Sequence, residues 1–359
     1  VYIGQLNTRF GKKLLKNKGA AFGSILITLA LLLSVGGYFI ASDNSTNANR
    51  IIPAIGSKKP GYSVHLLAMP KQQVVKASFW QILLSGQPEQ FTYWPIATWQ
   101  TTKDSLLVHK IVDEGLTEVA TLPIIANKPY KIYKAHYYLG TDKFGRDILS
   151  RLIIGTRISL GVGLVAVLIS LTIGILLGSL AGYFKGIVDD AIMWLINVVW
   201  SIPTLLLVFA ITLVLGKGFW QVFIAVGLTM WVNVARLVRG QVMALRNLEY
   251  VEATQVLGYS HTRAIVKHIL PNILGPVMVI AASNFASAIV IEAGLSFLGV
   301  GVQPPTPSWG LMIKENYNFI ITTNPVLALA PGIAIMLLVL AFNLLGNGLR
   351  DALSVKSRV

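Results

Sequence analysis

The chain has 359 residues, 54% of them hydrophobic and only 13% charged, a balance too apolar for a soluble protein of this length. Its net charge of +15 does not read as a nucleic-acid footprint, because surplus Lys and Arg in a multi-pass membrane protein mark the cytoplasmic flanks; membrane lipid, not nucleic acid, is the expected surrounding. The absence of cysteine excludes disulfides, thiolate metal sites and cysteine nucleophiles.

In chain order the first element is the apolar run Ala20 to Ala41, which has no clear small-residue cleavage site and is long enough for a permanent span. Five further segments meet the same requirement: Ile158 to Phe184, Ala191 to Gly216, Phe219 to Ala235, Ile273 to Val302 and Val326 to Leu349. Glu292 is the one acidic or basic side chain inside any of the six. Arg9, Lys12, Lys13, Lys16 and Lys18 precede the first span and put the N-terminal flank in the cytoplasm. Six crossings return the C-terminal flank there, beside Arg350, Lys356 and Arg358, and the segment between spans four and five carries Arg236, Arg239, Arg246, Arg263 and Lys267 on the same side. Arg146, Arg151 and Arg157 run against this pattern; long loops translocate largely regardless of charge, so the orientation stands.

Between spans one and two lies a long polar segment. Its prolines, with Trp80, Trp94 and Trp99, suit a folded domain rather than a tether. The runs Ser105 to Val112 and Val119 to Ala126 predict β-strands. Asp142 to Arg157 reads as an interfacial helix with Asp147 and Arg151 spaced to pair at i, i+4. The expected division is therefore a cytoplasmic flank and first helix over 1–41, an inserted external domain over 42–135, an interfacial helix within 136–157 and a helical core over 158–359. In span two, Gly174, Gly178 and Gly182 share one face; either they admit a neighbouring helix closely or they reflect the general glycine content of membrane helices. Pro203, near the middle of span three, predicts a kink.

The cytoplasmic segment 236–272 carries the most specific pattern. Tyr250, Ala253, Thr254 and Leu257 fall at i, i+3, i+4 and i+7, a single helical stripe. Gly258 suits the left-handed residue that ends such a helix, Ser260 can cap the next, and Pro271 fits the first turn of span five. A short helix, a turn and a second short helix are thus predicted at the cytoplasmic mouth.

This stretch resembles the EAA loop of ABC importer permeases, with Glu252, Ala253, Gly258, Leu270 and Pro271 at the matching positions. Thr254 replaces the second Ala and His268 replaces an Ile. The blocks Leu139 to Arg151, Glu292 to Gly310 and Ala341 to Ala352 are similar to those of the C-type permease of dipeptide, oligopeptide and nickel importers. The resemblance covers 136–355 strongly and 1–41 weakly, and fails over 42–135. It implies an all-α polytopic membrane protein of six transmembrane helices, a type I ABC importer permease fold, with an inserted external α/β or β-containing domain between helices one and two. It further implies a bacterial inner-membrane subunit with both termini cytoplasmic, working with a homologous second permease, two cytoplasmic ABC ATPases and an external solute-binding protein that delivers di- or oligopeptides. The alternatives are a permease for nickel or another small solute, or an ion-coupled secondary transporter.

No catalytic residue, cofactor or metal site is expected. Gly140 to Arg146 has P-loop glycine spacing, but Arg146-Asp147 stands where Lys-Ser/Thr is required; Gly294-Leu-Ser296-Phe-Leu misses a nucleophile elbow by one place; and the five histidines lie outside the spans. ATP hydrolysis would fall to partner subunits. The candidate coupling residues are Glu252, Ala253, Thr254, Gly258, Leu270 and Pro271. Asn284, Glu292, Ser296 and Asn343 are candidates for the translocation path or for helix contacts. At about 1.5 Å per residue Glu292 stands near the outer rim of span five, where it either faces water or caps a neighbouring helix.

Overall fold

A computed structural model describes residues 14, 16–71, 77–102, 104–113, 115–124, 130–216, 218–321 and 324–353. Arg9, Lys12, Lys13, Lys356 and Arg358, on which part of the orientation argument rests, lie outside the described residues, as does the end of the run Val119 to Ala126. Two compact units are present, one of residues 1–30, 159–303 and 335–359, the other of residues 31–158 and 304–334.

Among the described residues, the helices long and apolar enough to cross a membrane are α1 (Lys18–Ile40), α3 (Ile148–Phe184), α6 (Phe219–Arg246), α8 (His261–Leu298) and α10 (Val326–Leu353). The bent pair α4 (Gly186–Trp200) and α5 (Thr204–Leu215), which meet at 90°, is together long and apolar enough for a sixth. Span three is therefore broken, not merely kinked. Pro203 has no N–H to continue the ladder and restricts Ile202 before it, so the chain restarts as a new helix at Thr204.

The first unit is packed on glycines. A Cβ at Gly174, Gly178 or Gly182 of α3 would stand 2.4 Å from Val234 Cβ, 2.4 Å from Ala235 O and 2.6 Å from Arg239 O of α6. The stripe is thus a close helix contact, not general glycine content. Gly23 of α1 meets the carbonyl of Ala341 in α10 in the same way, and Gly163 receives the ring of Phe285, itself stacked on Phe342 at 3.9 Å.

The second unit holds a five-stranded antiparallel sheet of β1 (Tyr62–Pro70), β2 (Phe91–Thr101), β3 (Ser105–Asp113), β4 (Leu116–Pro123) and β5 (Lys131–Tyr137), in the order β4-β3-β2-β1-β5. Alternation gives it two apolar faces: Val64 and Leu66 pack on Ile52, Ile55 and Tyr137, and Leu67 packs on Ile96, Leu106 and Val108. Pro95 cannot donate to the ladder, and a register shift follows between Ile96 and Trp99. A short helix, α2 (Phe79–Ser85), joins β1 to β2.

The predicted interfacial helix Asp142 to Arg157 is not a separate element. Residues 141–147 form a turn held by Asp142, whose Oδ1 accepts from the N–H groups of Phe144 and Arg146, and the helix starting at Ile148 runs unbroken to Phe184. No glycine-proline breaker separates its polar start from its apolar body, so one helix is the cheaper arrangement. Nor do Asp147 and Arg151 pair. Asp147 caps α3 by accepting from the Ser150 N–H at 3.1 Å, while Arg151 faces Glu315 at 3.5 Å. Glu315, on α9 (Trp309–Asn316), also accepts from Arg146 at 2.8 Å, and Arg146 bonds Asp142 at 2.6 Å. These two arginines are buried and matched by carboxylates, so they are not the free loop charges that the orientation rule counts.

Candidate functional site

The loop between α6 and α8 is built by its end-of-helix chemistry. A short helix, α7 (Glu249–Val256), starts with Glu249 and Glu252 in its first turn, where carboxylates complement the helix dipole. It ends in a Schellman arrangement: Tyr259 N–H donates to Thr254 O at 3.0 Å and Gly258 N–H to Gln255 O at 3.0 Å. Gly258 takes φ +72°, the left-handed value that this motif requires. Ser260 then accepts from Arg263 N–H and opens α8.

Pro271 stands in the first turn of the α-helical stretch Leu270–Leu298, as expected, although α8 as a whole starts earlier, at His261. A π-helical turn over Ala264–Ile269 widens the ladder just before Pro271, where the missing donor and the ring would otherwise break an α-helix. Of the predicted stripe, Tyr250, Ala253 and Leu257 are exposed, while Thr254 is buried on the face turned to the protein beside Val251, which packs with Ala264, Ile265, Ile269, Val234 and Val238. Periodicity located the helix but not that Thr254 turns inward.

The exposed face is therefore apolar with an acidic flank. Val256 and Leu257 are 88% and 70% accessible, with Tyr250, Ala253 and Glu252 beside them. Exposed aliphatic groups outside the spans are costly in water, and a tightly turned helix that shows them is shaped to enter an apolar groove. Leu270 is half-buried and Pro271 exposed, so the coupling candidates divide between the exposed Glu252, Ala253, Gly258 and Pro271 and the buried or half-buried Thr254 and Leu270. The loop is braced from α3, where the Tyr183 hydroxyl lies 3.1 Å from His261 Nδ1 and accepts from Gln255 Nε2 at 3.4 Å.

The polar groups of the spans separate into inside and outside positions. Asn284 is buried, its Nδ2 at 3.4 Å from Ser170 Oγ and 3.5 Å from Met230 O, which are long helix-to-helix contacts. Glu292 is 0% exposed and does not face water; Ser296 Oγ donates to it at 2.7 Å and accepts from Val302 N–H at 3.1 Å. The count of residues along span five gave its height but not its direction around the axis. Asn343 is exposed on α10.

Sequence reasoning missed a cavity of about 220 Å³ where the α4–α5 bend faces α6 and α8, lined by Trp200, Thr204, Thr229, Asn233, Ser287 and Ile291 among others. Asn233 and Ser287 are exposed polar groups on its wall. Beside it, Arg236 stacks over Trp200 at 3.6 Å and donates to Asn197 at 3.1 Å. Pro203 was the available signal, since a broken span frees backbone groups that need a polar or wet surrounding.

A family model described as "Binding-protein-dependent transport system inner membrane component" matches residues 174–359. Among curated proteins, the chain is 42% identical over 220 residues to the glutathione transport system permease protein of Pectobacterium atrosepticum, covering 61% of this chain and 73% of that one. It is 36% identical over 290 residues to the dipeptide transport system permease protein of Alkalihalophilus pseudofirmus, covering 76% and 95%. It is 41% identical over 219 residues to the nickel transport system permease protein of Escherichia coli K12, covering 61% and 79%.

Proposed function

The chain belongs to the family of binding-protein-dependent transport system inner membrane components, and from that membership we propose that it is one half of the translocation path of an ATP-driven importer of di- or oligopeptides. In this reading it pairs with a homologous second permease, takes solute from an external binding protein, and is driven by two cytoplasmic ABC ATPases. The observation that carries it is the loop at Glu249–Val256: a glycine-terminated helix that is anchored on one face and shows apolar groups on the other. A docked ATPase would move this helix, and its buried face would pass the displacement to α6 and α8. The cavity at the α4–α5 bend, with Thr229, Asn233 and Ser287, is the part of this chain best suited to line the path, since peptide N–H and C=O groups need polar partners in the bilayer.

Peptide specificity has the support of relatives named for glutathione and dipeptides, while the nickel permease matches equally well over a similar stretch. The deciding measurement is the identity of the ligand on the solute-binding protein that purifies with the assembled transporter. A bound peptide is expected; a bound metal chelate would move the assignment to nickel-type solutes. Uptake into liposomes should need ATP and the ATPase subunits. Uptake by this chain alone on a proton or sodium gradient would overturn the importer reading.

Orientation is tested in the same preparation, because the chain has no native cysteine. Single cysteines at the exposed positions Lys59 and Lys314 should react with an impermeant maleimide from outside, and one at exposed Thr262 only after permeabilisation. The reverse pattern would put the Glu249–Val256 loop on the wrong side for an ATPase.

A further inference from the structure

The inserted segment contains a helix that does not behave as part of a soluble domain. All seven residues of α2 lack full burial, and Phe79, Trp80 and Leu84 are 60–69% exposed. Those values match Leu32, Phe39 and Ile40 of α1, a helix long and apolar enough to cross a membrane, which are 54–64% exposed. The two sets are continuous: the ring of Phe79 stacks on that of Phe39 at 5.7 Å, and Trp80 meets Phe79 edge-on at 5.7 Å.

Arg157 fixes the depth of this helix. Its guanidinium donates to the carbonyls of Ser34 and Val35 near the end of α1 and also to Leu83 O at 2.5 Å and Leu84 O at 3.0 Å. One nitrogen, Nη2, serves both Val35 and Leu83, so the end of α2 lies level with Val35. Val35 precedes the end of α1 at Ile40 by about 8 Å at about 1.5 Å per residue. A helix at that depth, with tryptophan and phenylalanine at one end and leucine at the other, matches an in-plane segment sunk about 5–10 Å at the headgroup boundary.

We propose that α2 is a membrane anchor of the inserted domain, with Phe79, Trp80 and Leu84 seated among acyl chains of the leaflet on the β-sheet side, and Arg157 tying its backbone to α1. The anchor would tether the sheet to the bilayer surface. Its occupant is lipid rather than protein because the exposed surface continues that of a spanning helix and carries no charged side chain.

The test uses nitroxide-labelled single cysteines in the assembled transporter, reconstituted in phosphatidylethanolamine–phosphatidylglycerol vesicles. Labels at Trp80→Cys and Leu84→Cys should collide several-fold more with oxygen than with a water-soluble nickel chelate, as a label at Leu32→Cys does. A label at Glu118→Cys, on exposed β4, should show the opposite preference. Preference for the nickel chelate at positions 80 and 84 would overturn the proposal. Shielding of both labels from both reagents would also overturn it, by assigning this face to the binding protein or the second permease.

Discussion

Gly258→Val is expected to abolish transport and substrate-stimulated ATP hydrolysis while leaving the permease inserted and paired with its partner. The residue takes φ +72°, and no atom lies within 4 Å of where a Cβ would stand. The penalty is therefore conformational, not steric against a neighbour. An L-residue in the left-handed region loses about 1–2 kcal/mol, and a β-branched one more, enough to shift the population of the turn by about 5–30-fold or beyond. The two hydrogen bonds that close the turn would open, and α7 would no longer present Glu252, Ala253, Val256 and Leu257 as one face. The graded series is the informative measurement: Gly258→Asn close to the parent, Gly258→Ala intermediate, Gly258→Val inactive. Ala253→Trp tests the contact itself, since Ala253 is exposed and added bulk there cannot disturb the core. It should leave thermal stability unchanged and remove coupling. Full coupling in both Gly258→Val and Ala253→Trp would sink the docking assignment.

What the chain disclosed in advance followed the strength of each local signal. Spans were legible because some twenty apolar residues in a row have few alternative uses, and the glycine turn was legible because few residues other than glycine adopt φ +72°. The predicted run Ser105 to Val112 is β3 almost end to end, while Val119 to Ala126 only overlaps β4, which starts three residues earlier at Leu116. Facing was not legible. Glu292 at a known height could point in or out, and only packing against neighbouring helices turned it inward to Ser296. The same holds for α7, whose buried residues, Val251 and Thr254, are chosen by α6 and α8 rather than by its own sequence. The pairing of Arg146 and Arg151 with Glu315 spans more than 160 residues of sequence, a distance at which i, i+4 reasoning has nothing to say.

The other large effect is expected at Gly178, where leucine should prevent the chain from accumulating as a folded protein. Helices in a bilayer gain little by hiding apolar surface from water, so their association rests on close packing and on hydrogen bonds between them. At Gly178 the added Cβ would lie 2.4 Å from the carbonyl oxygen of Ala235 and 3.0 Å from its Cα, so α3 and α6 must separate. Overpacking of this kind costs about 1–3 kcal/mol where side chains can yield, and backbone cannot yield as a side chain does. Gly174 and Gly182 meet α6 on the same seam, so the separation would run along three turns and loosen the core on which α7 rests. Gly240, in α6 itself, supplies the control. A Cβ there meets nothing within 4 Å, so Gly240→Leu should keep the fold of the isolated chain while sharing the same change in composition. The measurement is the monodisperse yield and thermal midpoint of each variant in detergent. Equal yields for Gly178→Leu and Gly240→Leu would mean that the seam between α3 and α6 does not hold the bundle together, and that the glycines of span two are there for another reason.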